Sequence, residues 1–268
     1  MANIMIQTIN WRKLLLILAI GVIPVLSGLL MMNYQLERKL EENAQISVQE
    51  AVFSIDQALG RMEDSLETIL PLAGKPCAEV LDALDQSVTS SPHLRSLALT
   101  RGKQAYCATD MDPLEYISAF SESGQRAKLV FDAPSSPNAA IIKIQKPHSD
   151  PGVIATAYGR LLRDELRGFQ DGLTLLVEFN DQYIWSDGDS RDPQRPSQAE
   201  YNHRAVSEKY GYVVIGGYGN GYTAQEFRLS LHQVLPSLVL VGVASMFITY
   251  LGLPRTRKRK ADTAAIDS

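Results

Sequence analysis

The sequence predicts an α+β protein in which two transmembrane helices flank a mixed, mainly antiparallel sheet domain with a long helix on its N-terminal side. Three features predict it. Two apolar runs, residues 14–32 and 234–253, contain no charged residue. After the first run an apolar side chain recurs every three or four positions from Leu36 to Ile69. Beyond that stripe come short segments of strand character separated by Gly, Pro, Asp and Ser, the pattern of strands joined by turns.

The first run reads LLLILAIGVIPVLSGLLMM and the second VLPSLVLVGVASMFITYLGL. As helices rising about 1.5 Å per residue, each can cross a hydrocarbon core of about 30 Å. The first run exceeds the apolar region of a cleaved secretory signal, typically about 7–15 residues, and no Ala-x-Ala site follows it. Pro24 and Pro236 are tolerated in such spans, where they only kink the helix. The rest of the composition is ordinary, with 21% charged residues and a net charge of -4.

Positive charges set the orientation. Arg12 and Lys13 precede the first run, and Arg255, Arg257, Lys258, Arg259 and Lys260 follow the second, so both ends are expected in the cytoplasm. The division that follows is a cytoplasmic stub at 1–13, a first span at 14–32, a periplasmic domain at 33–233, a second span at 234–253 and a basic cytoplasmic tail at 254–268. A multi-pass protein of the bacterial inner membrane, with its main domain periplasmic, is the expectation. The basic tail reads as a membrane anchor that attracts anionic lipid, and no nucleic-acid partner is expected of it.

The stripe Leu36, Leu40, Ala44, Val48, Val52, Ile55, Leu59, Met62, Leu66 and Ile69 marks one face of a stalk helix ending near Leu70-Pro71. It is longer than one domain can readily cover, so the part around Leu36, Leu40 and Ala44 is expected to pair with a partner helix. A second helix is expected over 78–87, before Ser90-Ser91-Pro92. Strands follow at 94–100 and 104–109, joined at Arg101-Gly102-Lys103, then at 128–131, 140–145, 153–158, 173–179, 182–186 and 212–216. A helix at 161–169 interrupts them, and a short helix at 223–233 leads into the second span. A helix followed by hairpin-linked strands gives a domain of the PAS or Cache kind.

Enzyme signatures are missing. His93, His148, His203 and His232 are scattered, with no pair at the i, i+4 spacing of a helical zinc site. No Gly-x-Ser-x-Gly elbow or phosphate-binding glycine loop occurs. The stretch Gly216-Gly217-Tyr218-Gly219-Asn220-Gly221 fits no dinucleotide fingerprint and reads as a turn before the last helix. Asp187, Asp189 and Asp192 resemble a calcium loop only faintly and read as a polar hairpin end. No catalytic residue, metal or cofactor is expected.

The cysteines are the informative pair. Cys77 follows Gly74-Lys75-Pro76 at the start of the second helix, and Cys107 lies at the end of the hairpin's second strand. An oxidising compartment permits a bond between them, worth about 3.5 kcal/mol in loop-entropy terms. A cysteine near a helix N-terminus also has a depressed thiol pKa, which makes such a bond exchangeable. Both readings, inert staple and redox switch, fit the spacing.

Pro92-His93-Leu94-Arg95-Ser96-Leu97-Ala98-Leu99, followed by Ala105-Tyr106-Cys107-Ala108-Thr109, resembles the CSS-motif domain, the periplasmic sensor found ahead of EAL-type cyclic di-GMP phosphodiesterases. The resemblance runs from about residue 14 to 253. It singles out Arg95, Ser96, Tyr106, Ala108 and Thr109 beside Cys77 and Cys107. Where the family name promises Cys-Ser-Ser, this chain has Cys107-Ala108-Thr109, so a role of the second serine could pass only to Thr109. The EAL domain of those relatives follows their second span, and the residues after Leu253 here are too few to form it. Glu79-Val80-Leu81 mimics its signature by chance, without the arginine two residues after the leucine.

The expectation is therefore a non-enzymatic sensor module, redox-responsive through Cys77 and Cys107. Its partners would be a second copy or a membrane protein carrying an EAL or GGDEF domain, with periplasmic thiol-disulfide oxidoreductases setting its state. A Cache-like small-molecule receptor, lined by polar groups from strands between Lys128 and Tyr158, is the alternative. A truncated remnant of a phosphodiesterase is the third reading.

Overall fold

The computed structural model describes residues 11–102, 104–110, 126–134, 136–146, 150–169 and 172–264, without the side chains of 12, 13 and 253–264. Lys103, His148 and the charges expected to set orientation lie outside what is described. The chain divides into two units, one of residues 1–40 with 221–268 and one of residues 41–220.

The first unit consists of the N-terminal part of helix α1 (Trp11–Ile69) and helix α4 (Tyr222–Ala264). Each contains a stretch long and apolar enough to cross a membrane, by length and composition. Large apolar side chains such as Leu16, Leu30, Leu240 and Ile248 lie on the outside of this pair. Glycines bring the two helices together. A Cβ on Gly242 would lie 2.7 Å from the backbone oxygen of Gly21, and one on Gly28 would lie 2.6 Å from Cδ2 of Leu238. Small residues at a crossing allow this approach between apolar helices. The short helix expected at 223–233 is not separate, because α4 runs through Pro236 without interruption.

The second unit begins in the C-terminal part of α1, which ends in a short 3-10 turn, Leu70–Leu72. Helix α2 (Cys77–Ser90) follows, then β1 (Ser96–Arg101), β2 (Gln104–Ala108), β3 (Ala127–Ala133), β4 (Ser136–Gln145) and β5 (Gly152–Tyr158). After α3 (Arg160–Arg167) come β6 (Leu173–Phe179), β7 (Gln182–Trp185), β8 (Glu200–Val206) and β9 (Val213–Tyr218). Gly102, at φ 60°, makes the tight turn between β1 and β2, and Asn180, at φ 56°, begins the one between β6 and β7.

The strands of the expected mixed, mainly antiparallel sheet domain form two separate sheets. Their orders are β2-β1-β5-β4-β3 and β7-β6-β9-β8, and every pairing among these strands is antiparallel. β8 was not foreseen. It is a half-exposed edge strand, Glu-Tyr-Asn-His-Arg-Ala-Val, bonded on one side only, so its sequence needs no apolar alternation.

One face of α1 supplies the spine of the core. Val48, Ala51, Ile55, Leu59, Met62 and Leu66 are buried together with Leu97, Leu129, Ile142 and Val153 of the larger sheet and Leu175, Val177 and Val214 of the smaller. Val80 and Leu84 close it from α2. Each buried Val, Leu, Ile or Met side chain among them contributes about 1.5–3 kcal/mol. Gly216 and Gly217 lie within β9, not in a turn; a side chain on Gly216 would collide with Val48 and approach Leu175 to 2.8 Å. Of the stripe expected to be free around Leu36, Leu40 and Ala44, Leu40 is 6% exposed and Ala44 0%, while Leu36 is partly exposed. The close approach of β9 at Gly216 brings the sheet backbone to α1 at Val48 and Ala44.

Candidate functional site

The structure bonds Cys77, the first residue of α2, to Cys107 in β2, with Cα atoms 5.3 Å apart. Cys107 faces the core at 1% exposure, opposite Leu99 of β1. The bond thus ties the start of α2 to the edge strand of the larger sheet. The connection preceding α2 is pinned a second time. Gly74 donates its backbone N–H to the Tyr106 hydroxyl at 2.7 Å, and Arg101 donates to the Gly74 carbonyl at 3.3 Å. The Arg101 guanidinium also lies 5.1 Å from the centre of the Tyr106 ring. Gly74 has φ 94°, a conformation that suits glycine.

Arg95 and Ser96 belong to a different face. Strand residues alternate, so Leu97 and Leu99 point to the core while Ser96 and Ala98 point away from it. Ser96 stands opposite Thr156, Thr156 opposite Lys143, and Lys143 opposite Lys128, which makes a polar row across β1, β5, β4 and β3. The Ser96 and Thr156 hydroxyls are 2.5 Å apart. Arg95 donates to Ser96 Oγ at 3.4 Å, forms an ion pair with Asp110 at 2.8 Å and lies over the Tyr158 ring. Lys143 is 2% exposed, and Ser96 and Thr156 are as deeply buried.

Ala108 packs with Ala98 and Ile154 in a small apolar cluster on this same outer face. Thr109 accepts a hydrogen bond from the Leu97 N–H at 3.1 Å and donates its own N–H to the Leu97 carbonyl at 3.0 Å, extending the β1–β2 pairing. Six of the seven residues singled out from the sequence fall into two groups, and the seventh, Thr109, extends the β1–β2 pairing. Cys77, Tyr106 and Cys107 hold α2 to the sheet, while Arg95, Ser96 and Ala108 share the outer face. Lys143, Thr156 and Asp110 were missed. The available signal was a lysine inside Ile141-Ile142-Lys143-Ile144, where an apolar strand has no ordinary place for a charge.

Asp189 of the loop after β7 is a counter-ion. It accepts from Arg163 at 2.9 Å and from Arg191 at 2.8 Å, and the Arg191 hydrogen bond, working against burial, holds its carboxyl below the ordinary range. Asp192 caps the Asp189 N–H at 2.7 Å. Among the described residues no group of His, Cys, Asp and Glu could hold a metal. A cleft of about 280 Å³ lies nearby, lined by Leu166, Arg167, Phe169, Leu173, Ser186 and Asp187. Arg167 there is engaged with the Ser186 carbonyl at 3.3 Å and with Asp164.

Among solved structures, the ligand-binding domain of the Pseudomonas fluorescens chemoreceptor CtaA in complex with L-valine is 16% identical, with a TM-score of 0.47, covering 70% of this chain and 98% of that one. The extracellular domain of a putative histidine kinase is 10% identical, with a TM-score of 0.47, covering 71% and 97%. An extracellular ligand-binding receptor from Desulfohalobium retbaense is 8% identical, with a TM-score of 0.46. That match covers 65% of this chain and spans only 39% of the receptor. No curated protein matches the sequence. The family described as "CSS motif domain associated with EAL" matches residues 40–231, a span that takes in the disulfide, the polar row and both sheets. The chain belongs to the CSS-motif family.

Proposed function

We propose that this chain is a membrane-anchored sensor domain on the periplasmic side of the bacterial inner membrane, and that the state of the Cys77–Cys107 pair is its input. Its output acts on cyclic di-GMP turnover through an EAL or GGDEF domain carried by a partner membrane protein, and a second copy of the chain is the other natural partner. The EAL association of the family and the two long apolar helices support this reading.

The position of the disulfide is the observation that carries it. α1 runs unbroken from Trp11 to Ile69, and the bond fixes the segment that immediately follows, by holding the first residue of α2 to β2. Once the bond is reduced, Tyr106 and Arg101 still hold Gly74 at this junction through hydrogen bonds. Release there changes how the end of α1 is held, and α1 leads back to the first apolar run. Periplasmic thiol-disulfide oxidoreductases would set the state, and no catalysis by this domain is involved.

Thiol trapping in intact cells tests this. Cys77 and Cys107 should resist alkylation in oxidising cells and become labelled when the periplasmic oxidase is removed. Paired serines at both positions should change cellular cyclic di-GMP in the direction that oxidase loss does. A bond that stays closed without the oxidase, or a double variant with unaltered cyclic di-GMP, would leave Cys77–Cys107 an inert staple.

A second reading, a small-molecule receptor, is favoured by the buried row of Ser96, Thr156 and Lys143.

A further inference from the structure

We propose that the Asn43 amide and the Tyr218 hydroxyl form a clasp that ties the chain's exit from the second unit to its entry, so that α1 and α4 start from one fixed point. Asn43 on α1 is the third residue of that unit, and Tyr218, the last residue of β9, is the third from its end. The Asn43 side-chain N–H donates to the Tyr218 hydroxyl oxygen at 2.8 Å. Tyr218 is 0% exposed and stands in the sheet between Leu173 of β6 and Glu200 of β8. The clasp serves whichever input the domain takes.

β9 is laid along α1 in matched lengths. At one end the Tyr212 hydroxyl lies 3.0 Å from the Val52 carbonyl and donates to Asp56 at 2.8 Å; Gly216 meets Val48, and Tyr218 closes the other end on Asn43. From Tyr212 to Tyr218 the strand advances about 20 Å, and from Asp56 back to Asn43 the helix does the same. Beyond Tyr218 the chain reaches α4 through Gly219-Asn220-Gly221, in which two residues lack a Cβ and the last two are exposed. Such a link bends readily, whereas α1 is one unbroken helix. The start of α4 therefore takes its position from the last residue held firmly before the glycines, which is Tyr218. Tyr201 supports that residue under strain. Its backbone sits at φ 51°, in the left-handed region that a bulky side chain seldom adopts, at the register shift between Glu200 and His203. The result is an edge-on contact between its ring and that of Tyr218, with centres 6.4 Å apart. Strain kept at one place points to a constraint there, and the place is the clasp.

The test places spin labels on Gln35→Cys of α1 and Gln225→Cys of α4, both exposed positions, in the full-length chain in lipid nanodiscs with Cys77–Cys107 oxidised. The parent should give one narrow distance. Tyr218→Phe, which keeps the ring, and Asn43→Leu, which keeps the shape, should broaden it. Labels at Leu16→Cys and Ile248→Cys, beyond the close approach of Gly21 and Gly242, should report no change. Amide exchange at the end of β9 should quicken by roughly 3- to 10-fold, the effect of losing one hydrogen bond, with the five-stranded sheet unaffected. Asn43→Asp keeps an acceptor for the Tyr218 hydroxyl and should behave as the parent does. Asn43→Leu is read alone should Tyr218→Phe not fold.

A Gln35–Gln225 distance that stays narrow in the variants, with or without faster exchange, overturns the proposal and leaves Asn43 and Tyr218 a local hydrogen bond. So does an Asn43→Asp distance as broad as that of Asn43→Leu. Equal broadening at Leu16 and Ile248 overturns it too, since the helix pair itself would then have loosened. Cys77–Cys107 stays closed throughout, so failure here is not mistaken for failure of the redox input.

Discussion

Lys209, in the turn between β8 and β9, places its ammonium 2.7 Å from the carboxylate of Glu63 on α1. Tyr210 beside it donates its hydroxyl to the same group at 3.0 Å. One heptad earlier on that helix, Asp56 accepts from Ser207 Oγ at 2.7 Å and from the Tyr212 hydroxyl at 2.8 Å. Residues seven apart share a helix face, so two carboxylates on one side of α1 hold the β8–β9 hairpin at two points. Burial of Tyr212, together with its bond to Asp56, drives its hydroxyl pKa well up, and the phenol stays a donor.

Burial opposes ionisation of Glu63, but the hydrogen bonds from Lys209 and Tyr210, with the charges of Lys209 and Arg126, outweigh it and hold the carboxyl below its usual range. The bond to Glu63 pushes Lys209 up to about 12. The lowered Glu63 contributes stability above its unfolded pKa of about 4.3, and that is lost as pH falls through the folded value. The raised Lys209 contributes below its unfolded pKa of about 10.4, and that is lost as pH rises toward about 12. Glu63→Gln should therefore cost about 1–2 kcal/mol near neutral pH, a few degrees of melting temperature, and flatten the acid side of the stability profile. Glu67→Gln is the comparison. Its ion pair with Lys146 is more exposed and should be worth well under 1 kcal/mol. Equal losses from the two substitutions, measured by denaturation at several pH values, would remove the hairpin latch from the account.

Asp189 gives a second expectation. Its side chain is almost fully buried between Arg163 of α3 and Arg191, and Arg191 also reaches Asp132 of β3 at 2.7 Å. The carboxylate thus links α3 to the loop after β7, and Arg191 extends the link to the larger sheet. Asp189→Asn leaves two guanidinium groups facing a neutral amide. Since both arginines are about one-third exposed, the cost should be about 2–3 kcal/mol, below that of a wholly buried pair. Because the Asp189 carboxyl titrates below its usual value, this stability is present above about pH 3.9 and is lost on acidification. Added calcium should leave the melting temperature of the parent unchanged; a calcium-dependent rise would restore the metal-loop reading of Asp187, Asp189 and Asp192.

Much of this was legible because periodicity survives packing. The stripe from Val48 to Ile69 faces the core as the spacing of three and four required, and β6 falls on the predicted residues. The cysteine pair was legible from position alone. What the sequence concealed depends on long-range partners. β8 carries no alternation because only β9 pairs with it. Gly216 reads as a turn residue until Val48 is seen against it. Lys143 looks misplaced until Thr156 and Ser96 stand in register beside it, and that register joins segments far apart in the chain.

The last expectation concerns self-association, and the structure moves its location. Of the expected pairing surface at Leu36, Leu40 and Ala44, the last two are closed, Ala44 at 0% exposure and Leu40 at 6%, and only Leu36 stays partly exposed. Within the second unit, Ile46 at 53% and Phe53 at 65% are the large apolar side chains of α1 that remain open. They lie seven residues apart and therefore on one face, and Gly60 continues that face with nothing within 4 Å of where its Cβ would be. Apolar positions repeating every seven residues are the seam of a helix pair. If two copies meet through α1, they meet here. Single cysteines at Ile46 or Phe53, in a Cys77→Ser/Cys107→Ser background, should crosslink chain to chain in membranes, and one at the buried Ala44 should not. Phe53→Glu should abolish the crosslink at Ile46 without lowering the melting temperature by more than a degree or two, since the side chain it replaces is exposed. Crosslinking at Ala44 as strong as at Phe53 would mean that the stripe opens in the membrane, and an unchanged Ile46 crosslink in Phe53→Glu would place the contact elsewhere on the chain.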